Sequence, residues 1–409
     1  MNKHLRTAAP ILGAMALCIG WQPAMAQGAS FEVYGFAMVD YTQNLTRANP
    51  DWKDALRPSR IPTDEGQFGS DGEASISAKQ SRLGVQATLP TSAGDVYTRF
   101  EFDMFGVGDD AGQTTIRLRH AYGQWGRWLA GQTNTLFMDG DIFPNTIEYW
   151  GPPGMVFLRP PQIRWSPKLK NAKSSFAVAL EHPSNDIDSG QFRTVPDFPG
   201  AQGNQEYPDI TAQFRMGFAD RSHVQIAAIL RKVGAEVVGD VNPSPAVNDQ
   251  GVVYSDSDTG YGLDLTTVIG IGEMDALRAG VVYGHGIATY MNDGGMDAAP
   301  DRPPGLGGTQ VEAVPLTGVS VYYDHYWSKR YSSSIGYSYD EVDNTPGQAA
   351  DAFKKGEYAS VNFLYYPADK VTIGGEALWG QLEKNGGATG NDRRVQISFK
   401  YNFSSKDFK

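Results

Sequence analysis

Segment after segment of this chain alternates apolar and polar side chains one residue at a time, and arginine recurs on the polar side. Phe31, Val33, Ala37 and Val39 oppose Glu32, Tyr34 and Asp40, and Leu83, Val85, Ala87 and Leu89 oppose Arg82, Gln86 and Thr88. Thr98, Phe100 and Phe102 oppose Arg99, Glu101 and Asp103, and Ile116 and Leu118 oppose Arg117 and Arg119. A period of two marks a strand with unlike faces. Strands are predicted over 31–41, 75–89, 96–105 and 116–124, with short ones at 128–132 and 162–166. The rhythm resumes at 174–181, 209–218, 223–233, 259–269 and 276–285, then at 317–327, 331–340, 357–366, 371–380 and 393–403. That makes about sixteen strands, inside the even series of membrane barrels. Their connections alternate, short at 219–221, 270–275, 328–329 and 367–370 and long at 182–208, 234–258, 286–315, 341–355 and 381–392.

A soluble β-sandwich or β-helix would alternate too, so the faces must be assigned. An arginine turned toward lipid costs ~2–4 kcal/mol at mid-membrane. Arg82, Arg99, Arg117, Arg119, Arg164 and Arg215 together would exceed the ~5–15 kcal/mol that keeps a typical protein folded. The cationic face is therefore expected to line water and the Val, Leu, Ile and Phe face to meet lipid. Aromatics bunched at strand ends (Tyr322, Tyr323, Tyr326, Trp327; Tyr365, Tyr366) are expected to form an interfacial girdle. The fold class that follows is all-β, a transmembrane antiparallel β-barrel of about sixteen strands with an aqueous lumen.

The first residues read as an address. Lys3 and Arg6 precede an apolar core over 9–21, and Ala24-Met25-Ala26 gives a cleavage site, so 1–26 is expected to be a signal peptide and 27–409 the barrel. Cys18, the only cysteine, lies in that leader, which leaves the mature chain neither disulfides nor thiolate chemistry. Loss of Lys3 and Arg6 takes the net charge from −11 to −13 (−11 minus 2), which argues against nucleic-acid partners. The acids gather in the long loops: Asp51, Asp54, Asp64 and Glu65, then Asp186 and Asp188, then Asp256 and Asp258. They are expected to stay solvated near lipid and lipopolysaccharide. Asp186-Ile-Asp188-Ser-Gly190 lacks the spacing of a calcium loop, so no metal and no cofactor are expected.

One stretch, 131–167, GQTNTLFMDGDIFPNTIEYWGPPGMVFLRPPQIRWSP, has neither helical nor strand period. Phe137, Phe143, Tyr149, Trp150 and Phe157 give it too much apolar surface for a free linker. Irregular backbone at membrane depth is tolerated where it lines water or is buried in protein. The stretch 133–161 is therefore expected to fold inward as a constriction loop. The expected pore lining is Arg82, Arg99, Arg117, Arg119, Arg159, Arg164 and Arg215, with the loop acids Asp139, Asp141 and Glu148 facing that arc across the bore. Guanidinium forks suit carboxylates, which they hold bidentately. The same arginines can equally brace the loop by pairing with Glu101, Asp103 and the loop acids.

SRLGV at 81–85 and the strand pattern are similar to general trimeric porins. LRHAYGQW at 118–125, GQTNTLFMDGDIFPNT at 131–146 and GPPGMVFLRPPQIRWSP at 151–167 resemble the DcaP-like outer-membrane channels. That resemblance implies a sixteen-stranded homotrimeric channel of the bacterial outer membrane, preferring small anions, dicarboxylates and aromatic acids among them. Such channels often carry a coiled-coil extension before the first strand. Only 27–30 stand there in this chain, so trimerisation is expected to rest on the barrel wall. A non-selective or cation-preferring general porin is the nearer alternative, and a barrel-embedded lipid hydrolase the one from another class. Scattered histidines (His120, His182, His223, His285, His325) without HExxH or GxSxG spacing speak against an enzyme. A plugged receptor-type transporter would need a plug domain ahead of Phe31.

Overall fold

The computed structural model describes residues 28–195, 198, 200–240 and 250–408, so the expected leader lies outside the described residues. Its main sheet has 18 strands. Two of these, Ala74–Ser77 and Gln202–Asn204, are short pieces at the outer rim, which leaves 16 wall strands (18 minus 2). The wall closes where the first strand, Ser30–Asn44, pairs antiparallel with the last, Thr389–Ser404, from Tyr34↔Ser404 to Asn44↔Arg394. Closure removes every sheet edge, the condition for a β-structure to sit in lipid.

The alternation maps onto the wall as expected. In the last strand Val395, Ile397, Phe399 and Tyr401 stand 40–52% exposed, whereas Arg394, Gln396 and Ser398 are at most 3% exposed. An exposed apolar band with a buried polar interior inverts a soluble protein and suits a lipid solvent. Tyr322 and Tyr366 depart from the expected girdle: Tyr322 points inward and packs with Leu56, Tyr358 and Leu378, and Tyr366 lines the lumen and accepts from Asn145 of the loop at 3.1 Å.

Three external connections descend into the barrel. The stretch 133–160 crosses the bore, pinned by inward side chains of successive wall strands. Glu181 accepts from the Leu136 N–H at 3.0 Å, Asp324 from Asn145 at 3.2 Å, Glu376 from Ile147 at 2.7 Å and Ser338 Oγ from Gly154 at 2.9 Å. At Gly154 a Cβ would lie 2.1 Å from the Tyr339 carbonyl oxygen, so only glycine lets this backbone lie flat on the wall. Phe137, Met138 and Val156 of the loop join Ile229 and Val282 of the wall and Ile287, Tyr290 and Met291 of a second descending connection in one apolar core. That core fills the bore beside these strands, and the main cavity runs on the side of Arg82, Arg117 and Arg119.

The third inward connection follows the first strand. Its proline-rich sequence suggests a solvated loop over 44–72, but Trp52, Ala55, Leu56 and Ile61 are buried. Arg57 is stacked between the Trp52 and Trp150 rings at 4.3 and 4.2 Å and donates to Asp293 at 2.7 Å. The expected long loops at 234–258 and 381–392 are largely strand: Ser222–Asp240 pairs with Gln250–Ile271, and Val371–Lys384 with Thr389–Ser404. Alternation that continues past the membrane simply extends the hairpin into water. The expected strand over 75–89 is interrupted at 78–81, where Gln80 turns in to donate to Asp40 at 2.9 Å and to the Ile147 carbonyl at 3.0 Å.

Candidate pore constriction

Strand Val96–Phe105 presents Arg99, Glu101 and Asp103 to the lumen in turn, and Thr114–Trp125 runs beside it with Asp103↔Arg117 and Glu101↔His120 in register. The register shifts between Glu101 and Phe102, which leaves Arg119 as the extra residue of a bulge. A bulge breaks strict alternation. Arg119 and His120, adjacent in the chain, are in consequence both buried on the lumen side, at 8% and 7% exposure.

Two carboxylates, each 1% exposed, organise the arc. Glu101 receives Arg99 at 2.5 Å, Arg119 at 2.9 Å and the Tyr34 hydroxyl at 2.9 Å, with Arg82 Nε 3.6 Å away. Asp103 receives the Arg117 fork at 3.1 and 2.7 Å, Arg119 at 3.0 Å and the Tyr149 hydroxyl of the loop at 2.6 Å. The returning limb of the loop adds Arg159, stacked on Phe157 at 4.6 Å. Lys400 enters from the last strand, 4.1 Å from the Phe36 ring whose centroid also lies 5.1 Å from Arg82. Among the described residues neither Arg159 nor Lys400 has a carboxylate within ion-pair distance. Burial, with Arg119 and Arg117 close by, pushes the Arg159 guanidinium well below its ordinary range.

In this arc the cations are Arg82, Arg99, Arg117, Arg119, Arg159 and Lys400, and the acids are Glu101 and Asp103, an excess of four (6 minus 2). Three further buried carboxylates, Asp40, Glu148 and Glu376, sit where the loop meets the wall and are held by amides and hydroxyls. A cavity of about 1150 Å³ runs past Arg82, Arg117, Arg119, Arg159 and Lys400 to a mouth bearing Arg57, Arg60 and Arg193 beside Asp186, Asp188 and Asp293.

Of the seven expected arginines, Arg82, Arg117, Arg119 and Arg159 line this cavity. Arg99 stands behind them, over the Tyr34 ring at 5.5 Å. Arg164 and Arg215 lie beneath the loop, each on a separate 450 Å³ cavity. The Arg164 guanidinium donates to Gln162 at 3.0 Å and to the Asn134 carbonyl at 2.5 Å. The loop acids do not face the arc as expected. Asp139 takes His223 at 2.7 Å, Thr266 at 2.8 Å and Arg215 at 3.5 Å, and Asp141 pairs with Arg215. Glu148 accepts from the Leu56 and Gly151 N–H groups at 2.9 and 2.6 Å, and burial pushes its carboxyl up. Acids are drawn to whatever donors the surroundings leave open: for Asp139 and Asp141 these lie on the far wall, and for Glu148 they are the N–H groups of Leu56 and of the loop's own Gly151.

Asp139, Asp141 and His223 bring ligand atoms within 4.8 Å of one another, a geometry a metal ion could use. Arg215 already occupies both carboxylates, so a cation there would have to displace it. Asp188 of the calcium-like stretch is spent on the Gly190 N–H at 2.8 Å and Gln348 at 3.0 Å. Two site residues escape a reading from sequence, Lys400 and Arg57. Lys400 sits in phase with Arg394, Gln396 and Ser398 on the last strand, a signal that was available. For Arg57 only the nearby Trp52 hints that the segment is not solvated.

The profile of the DcaP outer membrane protein family matches residues 20–232, just over half of the chain. The crystal structure of the outer membrane channel DcaP of Acinetobacter baumannii superposes with a TM-score of 0.76 at 23% identity, covering 94% of this chain and 99% of that one. An anion-selective porin from Comamonas acidovorans gives 0.54 at 9% identity, covering 92% and 100%. The trimer form of OmpT from Vibrio cholerae gives 0.51 at 12% identity, covering 92% and 99%. Comparison with curated protein sequences returns no match. The closed 16-stranded wall, its inward loop and the matched segment agree: this is an outer-membrane β-barrel channel of the porin type, and the chain belongs to the DcaP outer membrane protein family.

Proposed function

We propose that this channel passes small anionic solutes, carboxylates and dicarboxylates foremost, and works as a homotrimer. The observation that carries the reading is the excess of four cations over acids in the arc (6 minus 2), with Arg159 and Lys400 unpaired among the described residues. Fixed charges in a narrow, low-dielectric bore focus the field and select the sign of the passing ion. Glu101 and Asp103 hold the arginines in place, so bracing and filtering are two roles of one cluster. An approaching carboxylate finds the partly satisfied forks of Arg117 and Arg119 already oriented. The structurally similar Comamonas acidovorans barrel is an anion-selective porin, which accords with this reading at the level of fold.

The homotrimer draws support from an uneven wall. Trp128–Gln132 and Pro161–Trp165 have five residues each. That is about 16 Å along the strand and about 12 Å of height at a tilt of ~40°, against an apolar band ~25 Å tall. Gln250–Ile271, four strands further along the wall, has 22 residues. A low wall leaves loop backbone at lipid depth, which only protein can cover. Outward Trp128, Ile163 and Leu180, at 54%, 57% and 50% exposure, offer an apolar surface for a second copy.

Reconstitution into planar bilayers tests the selectivity. Stepwise ohmic conductance with a reversal potential on the anion side of zero in a salt gradient is expected. A reversal potential on the cation side would leave a channel without this filter.

A further inference from the structure

Beneath the loop the lumen opens again toward the short turns, the periplasmic end of such a barrel. A cavity of about 450 Å³ there is lined by Lys173, Arg215, Arg221 and Arg278, with Ser174, Ser175, Ser222 and His223 between them and Asp141 as its one acid. The four cations come from separate elements: Lys173 from the connection before strand Ser174–Glu181, Arg221 from the turn after Asp209–Ala219, and Arg215 and Arg278 from the wall. We propose that this cluster is a second anion-binding station, on the exit side of the constriction, for small divalent oxyanions. It rests on the anion-channel reading and adds a second stop along the same path.

The acids nearby are engaged from above or behind. Asp141 and Asp139 take Arg215 from the loop side, Asp139 also takes His223, and Asp324 takes Arg278 at 2.6 Å. The second edge of Arg278 is fixed on the Asp141 backbone carbonyl. Asp220, next to Arg221 in the turn, neither lines the cavity nor forms an ion pair among the described residues. Lys173 and Arg221 likewise have no carboxylate partner among the described residues. Among the described residues Arg221 donates only to the Gly272 carbonyl, at 2.9 Å, which leaves most of its fork to water.

The backbone at Arg221 supports the assignment. Its φ is 57°, a left-handed conformation that normally goes to Gly or Asn. The side chain folds back over Gly270, where a Cβ would stand 3.2 Å from the Arg221 Cβ and 3.4 Å from its Nη2. A hairpin turn closes more easily with glycine, and arginine here sends a guanidinium under the loop. Conduction needs sites strong enough to admit an ion and numerous enough to release it. The cluster lies on the wall from Ser174–Glu181 to Asp275–His285, across the bore from the arc and below the loop, where it can hold an anion that has already cleared the constriction.

Sided block of single-channel chloride current by inorganic phosphate tests the station, with insertion fixed by adding protein to one chamber. In the parent channel, phosphate in the periplasmic chamber is expected to reduce the current. In the double variant Lys173→Ala/Arg221→Ala that block should weaken about five-fold, the scale of losing two solvent-exposed charge contacts. Block from the opposite chamber should hold, because neither residue touches the constriction. Arg221→Lys, which keeps the charge, should retain the block. Equal periplasmic-side block in parent and double variant, or none in the parent, overturns the station. A parent reversal potential on the cation side overturns the anion-channel reading itself.

Discussion

Glu101 collects Arg99, Arg119 and Tyr34 within 2.9 Å at 1% exposure, so its charge sets both the posture of the arc and its net potential. Removing one member of a buried ion pair is costly because the partner stays buried and uncompensated. Glu101→Gln is expected to lower barrel stability by about 3 kcal/mol, read as earlier unfolding of the folded band on heating. The same change should move the reversal potential further to the anion side. Arg159 is the counter-case. It has no carboxylate to lose, so Arg159→Ala should leave the unfolding temperature in place and move the reversal potential toward zero. Arg117→Ala/Arg119→Ala should shift it in the same direction while also loosening Asp103. If the reversal potential stays put in both variants, the arginines only brace. Residue types and their face were legible in the alternating sequence. The partners of each were not, because Asp103 meets Tyr149 across 46 residues of chain.

The constriction loop holds its place through its own backbone. Glu376 accepts from the Ile147 and Glu148 N–H groups at 2.7 and 3.1 Å, and Gln396 and Gln80 both donate to the Ile147 carbonyl at 3.0 Å. Glu376→Leu would leave two buried N–H groups without an acceptor, at about 1–3 kcal/mol each. The barrel wall makes no use of those bonds. The expected result is a folded channel with larger, noisier conductance, and conductance identical to the parent would show that the loop is fixed elsewhere. That this stretch turns inward could be argued from its aromatics and prolines. That Asp139 and Asp141 clasp the far wall could not, since the donors they find belong to distant strands. The bulge at Arg119 leaves only a local trace, two polar residues in succession at 119–120.

At the scale of the whole molecule the decisive feature is a wall of unequal height. Ile163→Arg on the low side places a charge in the expected subunit contact, whereas Val361→Arg places it on the tall, lipid-facing side. The first should convert the detergent-extracted assembly to monomers at unchanged protein concentration. The second should cost barrel stability, ~2–4 kcal/mol if near mid-membrane, and leave the assembly size alone. A trimer that survives Ile163→Arg would move the contact to another part of the wall. The packed part of the bore also belongs to this scale. The segments around Leu56, Phe137 and Tyr290 reach it from three connections far apart in sequence.

The division between what the chain announces and what folding adds follows from the range of the interactions. Alternation is a contact between each residue and its own two faces, so the strand number, the lipid-facing side and the cationic lumen stand written in the linear order. Pairing of cations with acids, the bulge that turns Arg119 and His120 the same way, and the descent of 44–72 depend on neighbours that only the folded chain supplies. Hence the sequence alone determined a water-filled cylinder with arginines inside. The three-dimensional structure decided which of them keep an unspent charge.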